Sequence, residues 1–470
     1  MVWMPPERFV SDVGAVSVRQ RQVVSGGDVS LPHRLEIEWG ELVLSVARTR
    51  MLTKSVSRTS PERREKIVEA LCRGTCGLID ALLDNETDEF CFTRDVEDLV
   101  DDERTSFPAR VGAAIADLLM DDLGFVWRAN ARELDFKLPR RTRRAIKRLP
   151  DFVYDPGAQN GYPKKSVVVA EAKGSISSKG AKRTAIDNLA KNAYERQVRH
   201  FIGAKSPGIK VVSGFAIAFG AVPARRPSTL AVASPENIGA TGRKAYSVSA
   251  AATGEMKTTQ KMEQHRPQRQ QQQQQQQRQQ QQRPQQLQQP QQQQPQPQPS
   301  KLGGGGGGHS GGPRREERRQ GQPTGRIAFA NYENVFRLCG ATRAAEYIRK
   351  ILSGEEVREL PHGDLIEQFR FYEFGESYLT GTSPIRVPYG ARYVSLAIAS
   401  TSASEILKLV AENPSGPPET VTMSIVPPIP RGADDSAGVV AVQGDGLALI
   451  KWTEGDAPER QWNLSEGQWL

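Results

Sequence analysis

A long stretch near the middle of the chain is poor in apolar residues and divides the sequence into two parts that can fold. From about Ser247 to Thr324 the chain is rich in glutamine, proline and glycine, with a glutamine tract around residues 269–298 followed by Gly303 to Gly308. Such a segment has too little apolar surface to offset the entropy lost on ordering, so we predict that residues 247–325 are disordered. The hydrophobic core must come from the sequence on either side.

A short β-branched run in the first part ends in two charged residues. Val167 to Ala170 is typical of a buried strand, and Glu171 and Lys173 follow it on one side because side chains alternate along a strand. Residues 151–154 predict a neighbouring strand, joined to the first by a turn rich in proline and glycine. If the two strands pair, Asp151 lies beside Glu171.

Two carboxylates and a lysine at one place make a minimal site for cutting a phosphodiester with a divalent metal. Magnesium prefers oxygen ligands and usually keeps several waters, so one or two carboxylates and substrate phosphate oxygens hold it. A bound metal makes a hydroxide-like nucleophile available near neutral pH. Lys173 would orient the attacking water or stabilise developing negative charge. The alternative is structural: Glu171 and Lys173 form a salt bridge at a strand end, and Asp151 is a turn residue.

The pair Pro150-Asp151 followed by Glu171-Ala172-Lys173 resembles the motif of the PD-(D/E)XK nuclease superfamily, which has the restriction endonuclease-like fold. The resemblance implies an α/β fold with three layers, α/β/α, around a central mixed sheet, interrupted here by the low-complexity segment. It implies that Asp151 and Glu171 are ligands of Mg²⁺ or Mn²⁺ and that Lys173 is the catalytic lysine. The order helix, strand, strand, helix, strand around the motif agrees with such a domain.

The helix upstream of the motif lacks the acidic residue that members of this superfamily often carry there. Phe107-Pro108 predicts the start of a helix that runs to about Leu123, with proline at its first position. Ala113 occupies the position of the acid. Asp117, one turn later, is a weak substitute, because helical geometry turns it away from the apolar face and favours a solvated aspartate. The third acidic ligand is therefore unassigned.

A helix is also predicted downstream of the motif, from Thr184 to Ile202. Gln197 in this helix resembles the glutamine that some superfamily members carry after the Glu-x-Lys strand. The alternative is a surface glutamine on an amphipathic helix. Residues 211–219 predict a further core strand.

Charge agrees with a nucleic-acid partner, and DNA is the substrate that we expect. The chain has 63 Lys and Arg residues against 54 Asp and Glu residues, for a formal charge of +9. Basic clusters bind phosphate backbones through counterion release; the alternative is a solvated basic helix or loop. The predicted nucleic-acid-binding residues lie just before the motif: Arg140, Arg141, Arg143, Arg144, Lys147 and Arg148. Lysines and an arginine on the other side of Glu171 add to this charge: Lys164, Lys165, Lys179, Lys182 and Arg183.

The N-terminal half is predicted to contain a helical region followed by the nuclease-like domain. Residues 1–104 are mostly helical, with one helix starting at Ser60-Pro61. Residues 105–246 form the nuclease-like domain.

The part after the low-complexity segment is harder to assign. Residues 326–330 predict a strand and Val335 to Leu352 a helix. This unit, 326–352, either completes the nuclease-like domain or opens a separate C-terminal domain. Residues 353–470 contain short strand candidates and no recognisable chemical group.

Other classes of protein are disfavoured. The four cysteines, Cys72, Cys76, Cys91 and Cys339, lack zinc spacing and give no disulfide framework, so we expect core packing for Cys72 and Cys76 and a reducing cytoplasm. No apolar stretch reaches membrane-spanning length, and the N-terminus lacks the apolar core of a signal peptide, so no membrane partner is expected.

Two classes of function stay open: a metal-dependent nuclease, and a non-catalytic nucleic-acid-binding or scaffold protein on the same fold. Ala113 favours the second class, whereas Asp151, Glu171 and Lys173 favour the first.

Overall fold

The computed structural model describes the chain on both sides of the low-complexity segment. It describes residues 8–16, 29–51, 61–84, 86–87, 89–138, 148–158, 161–176, 183–223, 226–235, 319–355, 357, 371–374, 378–381, 385–386, 393–427, 438–452, 461–463 and 468–469. The disorder predicted for residues 247–325 lies outside the described residues as far as residue 318. Residues 319–325 are ordered, since they contain a short strand, Gln320–Gly321, and the start of a helix at Gly325. Residues 1–245 and 316–470 form one compact unit.

The fold is mixed α/β, and its first sheet contains eight strands within the described residues. In chain order they are β1 (Arg8–Val16), β2 (Arg34–Glu38), β3 (Trp127–Asn130), β4 (Phe152–Asp155), β5 (Ser166–Ile176), β6 (Lys205–Ser206), β7 (Ile209–Val222) and β8 (Arg226–Ala233). Their spatial order is β2-β1-β8-β7-β5-β4-β3, and β6 pairs with β7 beside this path. The sheet is mixed because β5 runs parallel to β7 and β1 parallel to β8, whereas the other pairs are antiparallel.

Within the described residues of the N-terminal half, four α-helices accompany this sheet. They are α1 (Trp39–Met51), α2 (Pro61–Leu82), α3 (Asp101–Asp122) and α4 (Arg183–Ala193). Helix α3 approaches β5 so closely that a Cβ on Gly112 or Gly174 would overlap the backbone of the other element. Glycine is therefore required at both positions, since no side chain fits between the two backbones.

Helix α3 begins earlier than predicted. It starts at Asp101, so Pro108 lies inside the helix instead of at its first position. Three acidic residues, Asp101, Asp102 and Glu103, occupy the first turn, where they interact favourably with the positive end of the helix dipole. Pro108 has no backbone N–H, so the helix loses one hydrogen bond there. Gly174 of β5 packs against the Pro108 carbonyl group, and this contact between helix and strand offsets the lost bond.

The strand predicted at residues 326–330 is wrong. These residues form the first turn and a half of α5 (Gly325–Leu338), which is followed by α6 (Thr342–Ser353). Short apolar runs do not distinguish a buried strand from a buried helix, and Ile327 to Ala330 are buried on every side. The helix predicted over 335–352 is interrupted because Gly340, at φ 79°, adopts the left-handed conformation.

The C-terminal part forms a second sheet of eight strands within the described residues. Its described strands are β10 (Phe371–Phe374), β11 (Tyr378–Thr380), β12 (Ile385–Arg386), β13 (Tyr393–Ala399), β15 (Val439–Val442), β16 (Leu447–Trp452), β17 (Gln461–Asn463) and β18 (Gln468–Trp469). Two short strands, β9 (Gln320–Gly321) and β14 (Met423–Ser424), pair with each other outside this sheet. Helix α7 (Ser400–Glu412) follows β13.

Buried polar contacts connect the C-terminal part to the N-terminal half. Arg48 of α1 donates from Nη2 to Oδ1 of Asp445 at 2.7 Å, and Asn331 of α5 donates to Oδ2 of the same carboxylate at 2.8 Å. The backbone N–H of Arg128 in β3 donates to Oδ1 of Asn331 at 3.1 Å. Since breaking a buried ion pair is costly, these contacts fix α5 and Asp445 against the first sheet.

The cysteines are consistent with core packing. All four are buried free thiols, which confirms the role predicted for Cys72 and Cys76.

Candidate active site

Asp151 and Glu171 lie side by side at the ends of two paired strands. Phe152 of β4 is opposite Ala170 of β5, so the next position brings Asp151 to Glu171. The backbone N–H of Asp151 donates to Oε2 of Glu171 at 3.1 Å, and the backbone N–H of Ala172 donates to Oδ2 of Asp151 at 3.1 Å. The predicted pairing of residues 151–154 with the Glu-x-Lys strand is confirmed.

Lys173 joins this pair from the same side of β5. Its Nζ donates to Oε1 of Glu171. The side chain of Glu171 is 1% exposed, whereas that of Lys173 is 30% exposed. Glu171 is therefore withdrawn from water, whereas Asp151 and Lys173 are each partly buried.

Burial controls the protonation of the two carboxyl groups. It raises the pKa of Glu171 to about 7, aided by the neighbouring Asp151 carboxyl and opposed by Lys173 and Gln197. Burial also raises the pKa of Asp151, against the lowering effects of the Ala172 N–H and the Lys173 charge. Two like charges withdrawn from water favour a shared proton or a bound cation, because either one removes the repulsion between them.

Gln197 also contacts this group. Its side chain hydrogen-bonds to Glu171. After α4 the chain continues through a π-helical turn, Tyr194–Val198, and this irregular turn contains Gln197. Inserted π turns are frequent at functional sites, where they redirect a side chain. The predicted helix over 184–202 is thus present with an irregular end, and Gln197 is half-buried against the site instead of lying on the surface.

The positions considered for a third acid do not supply one. Ala113 packs, partly buried, against the hydrophobic core. Asp117 is fully buried, which corrects the prediction of a solvated aspartate. Its Oδ1 accepts from Nη1 of Arg128 at 2.7 Å and from the hydroxyl of Tyr154 at 3.1 Å, so it is part of a buried ion pair. Its Oδ2 has no hydrogen-bond partner among the described residues.

The donor set nevertheless suits a hard divalent cation. Within the described ranges no group of three or more His, Cys, Asp or Glu side chains is arranged to hold a metal. Magnesium, however, is commonly held by one or two carboxylates, with water and substrate phosphates completing the shell. Asp151 and Glu171 are such a pair, and burial raises the pKa of both carboxyl groups.

The basic residues predicted to bind nucleic acid fall only partly within the described residues. Arg148 is exposed, and its positive charge lowers the pKa of Asp151, so it lies near the candidate site. Lys164 is exposed, whereas Lys165 forms an ion pair with Glu419. The other predicted positions, Arg140, Arg141, Arg143, Arg144, Lys147, Lys179, Lys182 and the side chain of Arg183, lie outside the described residues.

Comparison with protein-family models, with curated proteins and with solved structures finds no match to the chain. In the parts of the chain that the structure describes, no helix is long and apolar enough to cross a lipid bilayer.

Proposed function

We propose that this protein is a metal-dependent nuclease of the PD-(D/E)XK type, which hydrolyses phosphodiester bonds in nucleic acid and whose expected substrate is DNA. The observation that carries the proposal is the convergence of Asp151, Glu171 and Lys173. Residues twenty positions apart are joined by two backbone-to-carboxylate hydrogen bonds, Asp151 N to Glu171 and Ala172 N to Asp151. If the match to the motif were a coincidence, there would be no reason for the three side chains to lie together in the fold.

The packing around β5 and β7 supports the three-layer α/β/α arrangement that such a nuclease requires. Gly174 pairs with Phe219 and is covered by α3, whereas the next residue of β7, Gly220, is covered by Ile186 of α4. Neighbouring residues of a strand project to opposite faces. We infer that α3 and α4 form the outer layers and the mixed sheet forms the central layer.

Each residue of the site has a distinct proposed role. Asp151 and Glu171 would hold Mg²⁺ or Mn²⁺, and a bound metal supplies an activated water and neutralises charge on the phosphate. Lys173, which is 30% exposed, orients the attacking water or stabilises negative charge on the phosphate oxygens. Gln197 lowers the pKa of Glu171 and so favours its ionised form, which is the form that would bind a cation.

A second candidate function is a non-catalytic nucleic-acid-binding or scaffold protein on the same fold. The observation that favours it is the missing third acid: Ala113 packs into the core, and Asp117 is held by Arg128. This candidate predicts salt-dependent binding that survives substitution of the three central residues.

The deciding experiment is a cleavage assay on supercoiled plasmid DNA with Mg²⁺ or Mn²⁺. Asp151→Ala, Glu171→Ala and Lys173→Ala are each expected to lower cleavage by at least roughly 10²-fold, while DNA binding in EDTA is retained. Lys350→Ala, a change at an exposed residue of α6, serves as the control and should cut as the unmodified protein does. Absence of metal-dependent cutting of DNA and RNA by the unmodified protein, together with retained binding, would establish the second candidate instead.

A further inference from the structure

Three lysines that are far apart in the chain lie next to one another at one end of the first sheet. Lys205 of β6 is the direct antiparallel partner of Lys210 of β7. Lys137 forms a β-bridge with Lys205 on its other side, and its N–H donates to the Lys205 carbonyl at 2.8 Å. All three side chains are exposed.

The register of these strands puts the three ammonium groups on one side. Directly opposed residues of paired strands project to the same face. The hairpin between Lys205 and Lys210 is closed by Pro207-Gly208, with Gly208 at φ 71°, a combination that suits a tight type II turn. The turn and the bridge therefore hold Lys137, Lys205 and Lys210 in adjacent positions across three strands.

Among the described residues, this arrangement concentrates positive charge with no ion pair to balance it. Like charges directly opposite each other destabilise a sheet. In the described part of the chain none of the three lysines has a carboxylate partner within ion-pairing distance, although the exposed Asp135 precedes Lys137 by two residues. A polyanion that lies across the three strands would remove the repulsion and release its own counterions.

The row of lysines is separate from the candidate active site. Lys210 is the parallel partner of Ser166, which lies five positions before Glu171 on β5. That separation is roughly 17 Å along the strand, and an odd number of residues places the two side chains on opposite faces. In the sequence, the basic residues 140–148 lie between Lys137 and Asp151.

We propose that Lys137, Lys205 and Lys210 form a second nucleic-acid-binding surface that contacts the phosphate backbone away from the candidate active site. The ligand class rests on the proposed nuclease function, since nucleic acid is the polyanion which that function brings to the protein. Recognition at this surface is independent of base sequence, because ammonium groups contact phosphates as point charges.

The test is the salt dependence of DNA binding in EDTA, measured with a duplex several helical turns long. For the triple variant Lys137→Gln, Lys205→Gln, Lys210→Gln, the slope of log K against log salt should become less negative by roughly 0.9 for each phosphate that the variant no longer neutralises, and binding at 0.1 M salt should weaken by roughly tenfold or more. The matched control, Arg343→Gln, Lys350→Gln, Lys408→Gln, removes the same charge from exposed positions on α6 and α7 and should leave both quantities close to those of the unmodified protein.

Two further readouts keep the outcome clear. The triple variant should melt at the same or a slightly higher temperature, since it loses a like-charge repulsion, so weaker binding cannot be attributed to unfolding. If the triple variant keeps the salt slope of the unmodified protein, or if the control variant changes it equally, the proposal is wrong. The lysines would then serve to prevent pairing of this sheet edge with another chain. If the unmodified protein binds DNA through this surface but does not cut it, the nuclease proposal is wrong and the proposed binding surface stands.

Discussion

The backbone N–H of Asp151 donates to Oε2 of Glu171, and the N–H of Ala172 donates back to Oδ2 of Asp151. Each carboxyl group is thus oriented by the main chain next to the other acid. Backbone hydrogen bonds fix the two groups by the strand register, without relying on flexible side chains. The register of β4 with β5 therefore determines the geometry of the site.

The first prediction concerns the buried carboxyl of Glu171. Its pKa is about 7 in the folded protein, above the ordinary value of 4.5. The folded state therefore binds this proton more tightly than the unfolded state, and the group stabilises the metal-free protein at low pH. That contribution is complete below about pH 4.5 and is lost as the pH rises towards 7.

Glu171→Gln should remove this pH dependence. We expect the metal-free variant to be more stable than the unmodified protein at pH 8, by about 1–3 kcal/mol, because it no longer buries a charge there. We also expect the stabilisation of the unmodified protein by Mg²⁺ to grow between pH 6 and 8 and to vanish in the variant. Thermal melts with and without Mg²⁺ measure both effects; a variant that Mg²⁺ still stabilises shows that the cation binds elsewhere.

The second prediction separates Asp117 from the metal site. Asp117→Ala removes one of the two carboxylates that pair with the buried guanidinium of Arg128 and leaves only Asp121, so the free energy of unfolding should fall by about 1–3 kcal/mol. At a temperature where the variant is folded, its response to Mg²⁺ should match that of the unmodified protein. Asp151→Ala is the counterpart and should lose the Mg²⁺ response with a smaller change in stability. Loss of the Mg²⁺ response in folded Asp117→Ala would return Asp117 to the ligand set.

The central residues of the site were accessible from the sequence because they depend on local patterns. Three valines followed by Ala170 predict a strand, and strand alternation places Glu171 and Lys173 on one side of it. A proline- and glycine-rich turn after residues 151–154 brings the two strands together. These effects act within about twenty-five residues, so a single sequence contains them.

The parts that the sequence did not reveal depend on contacts between distant segments. Helical periodicity placed Asp117 towards solvent, but Arg128 and Tyr154 cover that side of α3. The apolar pattern of residues 326–330 fits a strand and a helix equally well. These residues are helical because α5 is enclosed by β3 and by the C-terminal part, which the pattern does not contain. The row of lysines arises from a hairpin and a bridge that no local pattern predicts.

The third prediction concerns the contact between α3 and β5. A Cβ on Gly174 would overlap the carbonyl group of Pro108, and backbone atoms cannot move aside as a side chain end can. Gly174→Ala should therefore lower the free energy of unfolding by about 3 kcal/mol. Gly74→Ala is the matched control, since Gly74 lies in α2 with no atom near the new Cβ; it should raise stability by about 0.5–1 kcal/mol. Chemical denaturation measures both, and equal effects of the two changes would contradict the close contact.

The fourth prediction concerns Gln197, whose side chain hydrogen-bonds to Glu171 and lowers its pKa. Removing this bond in Gln197→Ala should raise the pKa of Glu171, since the ionised form loses a donor that favours it. At subsaturating metal, the pH of half-maximal cleavage should therefore move upward by about half to one unit, which corresponds to one hydrogen bond. The cleavage rate at pH 7 should fall while the rate at pH 9 recovers.

The matched control for Gln197 is Arg196→Ala, a change at the preceding, exposed residue of the same π-helical turn. Its pH profile should coincide with that of the unmodified protein. If Gln197→Ala lowers the rate equally at every pH, the glutamine acts on the substrate or on folding and does not set the charge of Glu171. If both variants shift the profile together, the turn itself and not the amide determines the position of the carboxyl group.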